Sequence, residues 1–96
     1  MNTTDQPYSA FGENFDNVPT AMMYEVFAAA GADLTARYMR FNRSASTQEE
    51  QDAWWAKVLQ LRNLKNSVPA HDRAALIEHI HQWRAELTEL DTDGRG

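Results

Sequence analysis

The chain has no cysteine, which excludes disulfide staples and thiolate chemistry. Prolines number three and glycines four in 96 residues, and no alternating β-branched run signals a strand. No stretch approaches the roughly 20 apolar residues of a membrane-spanning helix. The N-terminus lacks the basic-then-apolar pattern of a secretory signal, so the expectation is a cytoplasmic protein with no membrane partner. Positive charge is also scarce: nine Lys and Arg stand against 14 Asp and Glu, a formal net charge of −5. That balance favours solubility and mildly opposes nonspecific contact with nucleic acid. Internal repeats and low-complexity tracts are absent, and the length fits one domain.

Large apolar residues at helical spacing are what the chain does have. The segment from Thr47 to Leu90 reads as two amphipathic helices joined at Ser67-Val68-Pro69. Trp54, Val58, Leu61 and Val68 fall on one stripe of the first arm, with Leu64 beside it; these steps fit about 3.6 residues per turn. Ser46 or Thr47 caps its start, and Glu49 or Glu50 follows at capping-box distance. In the second arm Leu76, Ile80, Trp83, Leu87 and Leu90 recur at four, three, four and three. Pro69 suits a first helical turn, where its missing N–H costs nothing. A connection this short predicts that the arms run antiparallel.

A further helix precedes this hairpin. Pro19 or Thr20 opens it, and Met23, Phe27, Ala30, Leu34, Tyr38 and Phe41 form its stripe. Gly31 has two readings: it ends one helix at a left-handed C-terminal position, or it lies inside a continuous helix at a propensity cost of about 1 kcal/mol. The expected fold is therefore all-α, a small three-helix bundle built around an antiparallel helical hairpin. Its helices are placed at about 19–42, 47–66 and 69–90, within a bundle spanning 18–90. Residues 1–17 are expected to form a flexible N-terminal arm and 91–96 a disordered tail.

Catalytic and metal motifs do not emerge. His79 and His81 are two apart, so on a helix they diverge and cannot share a metal, and no HExxH occurs. Ser44, Ser46 and Ser67 are loop or cap residues. Neither a cofactor nor an enzymatic activity is expected.

Two binding readings remain. Trp54 and Trp83 lie on the apolar seams and belong to the core. Trp55 lies about 100° around the helix from Trp54, with Leu59 one turn on; either the first helix covers it or it forms an exposed aromatic anchor. Tyr8, Phe11 and Phe15 share one face of a helical turn, and either patch the core or engage a partner. The candidate protein interface is thus Trp55, Leu59, Arg62, Phe11 and Phe15. It implies a small, non-enzymatic regulator or adaptor that binds another protein or a second copy of itself. The alternative is a nucleic-acid-associated regulator using the basic segment 37–65, through Arg37, Arg40, Arg43, Lys57, Arg62 and Lys65. An up-down-up bundle places Glu49, Glu50, Asp52, Glu86, Glu89 and Asp91 at the same end as Arg37, Arg40 and Arg43. That juxtaposition is expected to neutralise the arginines.

Overall fold

A computed structural model describes Phe15 and residues 17–95, with side chains described as far as Thr92. The protein is an all-α three-helix bundle: α1 spans Thr20–Ser44, α2 Gln48–Ser67 and α3 Arg73–Arg95. Among the described residues there is no strand, and no helix is long and apolar enough to cross a membrane.

Local chemistry sets the helix ends. Thr47 caps α2: its Oγ1 accepts from the Glu50 N–H at 3.1 Å, while Glu50 Oε1 accepts from the Ser46 N–H at 3.2 Å. The expected capping box is therefore present, with its return bond one residue before the cap. The start of α3 differs from expectation. Pro69 lies outside the helix and accepts the Asp72 N–H at 3.1 Å. Asp72 is the cap instead, its Oδ1 accepting from the Ala75 N–H at 3.2 Å. An aspartate there satisfies an orphan donor and suits the positive end of the helix. At its other end α3 runs past Leu90 to Arg95. Asp91, in that extension, is ion-paired with Arg37 of α1, and the Thr92 hydroxyl donates to the Thr88 carbonyl at 3.1 Å.

α1 begins at Pro19 without a side-chain cap, so its entry is held from outside. Arg73 donates to Thr20 Oγ1 at 3.2 Å and to the Phe15 carbonyl. That carbonyl also accepts the Val18 N–H at 3.0 Å. The Phe15 ring is buried beside His81.

Both other helices pack on α1, whereas α2 and α3 bring no Cα atoms within 8 Å of each other among the described residues. The two arms of the hairpin therefore face α1 rather than close on a seam of their own. Trp54, near the start of α2, meets the rings of Tyr38 and Phe41 near the end of α1, so α2 runs antiparallel to α1. Arg73 reaches Thr20 and Asp91 reaches Arg37, so α3 runs parallel to it. The body is flat, 52 × 31 × 14 Å. Its core is Met23, Phe27, Ala30, Leu34 and Tyr38 of α1, Val58 and Leu61 of α2, and Leu76, Ile80 and Trp83 of α3, joined by Phe15.

Gly31 lies within one continuous helix. A β-carbon there would stand 3.1 Å from the Trp83 ring and 3.3 Å from the Lys65 stem. The glycine thus admits one residue from each neighbouring helix to the same point on α1.

Two substitutions test this packing. Ile80 is fully buried, so Ile80→Ala should cost about 2–5 kcal/mol in a urea titration. Gly31→Ala should gain none of the roughly 1 kcal/mol that an exposed helix position would give, because the methyl must displace Trp83. A variant more stable than wild type by that full amount would show the contact to be slack.

Candidate functional site

Three surfaces carry the side chains of interest. The first is the groove between α2 and α3, floored by Tyr38, Leu61 and Trp83. Tyr38 is buried, and its hydroxyl donates to Glu86 of α3. Lys57 of α2 approaches the same carboxylate at 3.9 Å and lies 5.4 Å from the centre of the Tyr38 ring. Burial, then the hydrogen bond and negative charge of Glu86, push the Tyr38 phenol well above the usual tyrosine range. The phenol thus stays protonated and donates, and these groups link all three helices. Sequence spacing could not have found this network, since Tyr38 and Glu86 are 48 residues apart.

The second surface is a hollow beside α1 and α3 lined by Arg37, Arg40, Arg43, Asp33 and Leu87. The expected neutralisation is only partly realised. Arg37 pairs with Asp91, while among the described side chains Arg40 and Arg43 form no ion pair. Glu86 is drawn instead toward Tyr38 and Lys57. The six candidate cations do not share one face. Lys57 looks into the groove, Lys65 lays its stem across Gly31, and Arg62, five residues beyond Lys57, is about 140° around the helix from it.

The third surface is the outer flank of α2. Of the two readings of Trp55, coverage by α1 does not hold: Trp55 is 44% exposed. α1 meets the stripe containing Trp54, Val58 and Leu61, and α3 lies on the side of Lys57 and Leu64. The flank carrying Trp55, the half-buried Leu59 and the exposed Arg62 faces neither. Of the aromatic residues proposed to join them, Phe15 is corrected to a core position: it is 3% exposed, because the Arg73 bond to its carbonyl draws the chain onto α3. Phe11 lies outside the described residues.

The histidines are dispersed, as their spacing requires. His79 lies beside the Phe27 and Trp83 rings, 6.3 and 5.6 Å away, and its Nδ1 is buried without a hydrogen-bond partner among the described residues. His81 meets Phe15, and His71 is exposed in the turn. Among the described residues no three His, Cys, Asp or Glu side chains gather as metal ligands would.

Comparison with family models, curated proteins and solved structures returns no match.

The Tyr38 phenol makes a pH-dependent prediction. Its folded pKa is raised above the unfolded value of about 10. Its contribution is therefore fully present below about pH 10 and is lost as pH rises toward the folded value. Tyr38→Phe should cost about 0.5–1.5 kcal/mol at neutral pH. It should also lose less stability than wild type when urea titrations are repeated from about pH 9.5 to 11.5, across the ordinary tyrosine range. Parallel curves for the two proteins would remove Tyr38 from the alkaline response.

Proposed function

We propose that this chain is a small cytoplasmic protein–protein interaction module, a non-enzymatic regulator or adaptor that engages its partner through the outer flank of α2. The observation that carries the reading is the 44% exposure of Trp55 beside Leu59, on a flank that neither α1 nor α3 covers. An indole on a helix brings a large apolar area with a single N–H donor. Such residues dominate the energy of protein interfaces, and arginine, present here as Arg62, is another type enriched at their centres.

Nucleic-acid association is the second reading, favoured by Arg40 and Arg43, which form no ion pair among the described side chains. It is weaker because the other candidate cations lie on different faces and Arg37 is held by Asp91. Phosphate recognition profits from cations that act together along one surface.

Capture from native lysate, with and without nuclease, separates the two. Wild-type protein, Trp55→Ala and the double variant Arg40→Ala/Arg43→Ala serve as baits. Retention of protein should survive nuclease and fall at least about tenfold with Trp55→Ala, the loss of a hot-spot residue. The double arginine variant should retain its partner. Capture that vanishes on nuclease treatment, or that depends on Arg40 and Arg43 while ignoring Trp55, would transfer the function to nucleic acid.

A further inference from the structure

α2 carries two stripes of heptad spacing. One faces α1 through Trp54, Val58 and Leu61. The other is Gln48, Asp52, Trp55, Leu59, Arg62 and Asn66, at steps of four, three, four, three and four. All six are exposed except Leu59, which is half-buried. This is the spacing by which one helix meets another along a seam, over about 27 Å at 1.5 Å per residue. Among the described residues no helix of its own chain lies against the stripe.

The order of chemistry along the stripe is self-complementary. About a point level with Lys57, it reads polar, acidic, apolar on one side and apolar, basic, polar on the other. A two-fold axis through that level would set Trp55 against Leu59 of a second copy, Asp52 against Arg62, and Gln48 against Asn66, each contact occurring twice. Closed two-fold pairs require this kind of patch, which matches itself when reversed. A parallel pairing would oppose Asp52 to Asp52 and Arg62 to Arg62, so charge selects the antiparallel arrangement. Asp52 is already oriented within the stripe: its Oδ1 accepts from Gln48 Nε2 at 2.8 Å, leaving Oδ2 for another donor.

Resting on the proposal that the Trp55 flank is a protein-binding surface, we infer that its partner is a second copy of this chain. The two α2 helices pair antiparallel, with Trp55 against Leu59 at the centre and Asp52–Arg62 ion pairs at either end. The joint lengthens the flat body edge to edge and leaves the α2–α3 groove open in each copy.

Sedimentation equilibrium with charge reversal tests this. Wild-type full-length protein should associate at micromolar concentration, as expected for a modest interface. The work is done at about 0.05 M salt, because exposed ion pairs are screened. Asp52→Arg alone sets basic against basic, and Arg62→Asp alone sets acid against acid; each should weaken association by about tenfold or more, two repulsive contacts replacing two attractive ones. An equimolar mixture of these two variants should associate again, because each then meets its opposite charge. The substituted residues are exposed, and unchanged circular dichroism of both variants would exclude unfolding as the cause. A wild type that stays monomeric to ~100 μM, well above the micromolar range, overturns the self-pairing, as does a mixture that associates no better than its components. Trp55-dependent capture of a different protein from lysate would then still support the docking flank, whereas loss of both results would overturn it as well.

Discussion

One helix serves as the packing partner of the other two. α1 presents Met23, Phe27, Ala30, Leu34 and Tyr38 along a single stripe, and both α2 and α3 bury their own stripes against it. Gly31 is where this arrangement is tightest. Trp83 from α3 and Lys65 from α2 both come within van der Waals reach of the space where a side chain would stand. Glycine costs a helix about 1 kcal/mol in propensity, and here that cost permits two neighbours at one turn.

Sharing one partner has consequences for the other two helices. α2 and α3 do not close on each other, and the space above Tyr38, Leu61 and Trp83 is an open groove. It is crossed by side chains: Glu86 accepts from the Tyr38 hydroxyl and lies 3.9 Å from Lys57. An ion pair as exposed as Lys57–Glu86 contributes little by itself. The buried Tyr38 hydroxyl is the stronger element, since an unsatisfied phenol at that depth is costly. A flat body also leaves each outer helix an edge, and on α2 that edge carries Trp55 and Leu59.

Much of the fold was legible from spacing. Leu76, Ile80 and Trp83, and likewise Val58 and Leu61, were placed in the core by their four-three steps, because a helix buries one stripe. Trp54 and Leu87 sit at the margin of that stripe and are only partly buried. Thr47 was legible as a cap because capping chemistry is local. Pro69 misled because proline suits a first helical turn, while Asp72 offered the better cap three residues later. The candidate site was less legible. Helical geometry sets Trp55 about 100° from Trp54, but whether a neighbour covers that angle depends on where α1 and α3 come to lie.

The residue pattern by itself determined the helical class, the number of helices, their approximate ends and the stripe each would bury. Those properties follow from local propensity, capping and the 3.6-residue period, all of which act within one helix. Tertiary structure alone decided that both arms of the hairpin pack on α1, that Phe15 turns inward under the hold of Arg73, that Arg37 meets Asp91, and that Trp55 is exposed. Each of these depends on how far apart and at what rotation three helices settle. Side-chain volumes around Gly31 and the reach of Arg37, Arg73 and Glu86 set those distances, and they join residues that no periodicity along the chain relates.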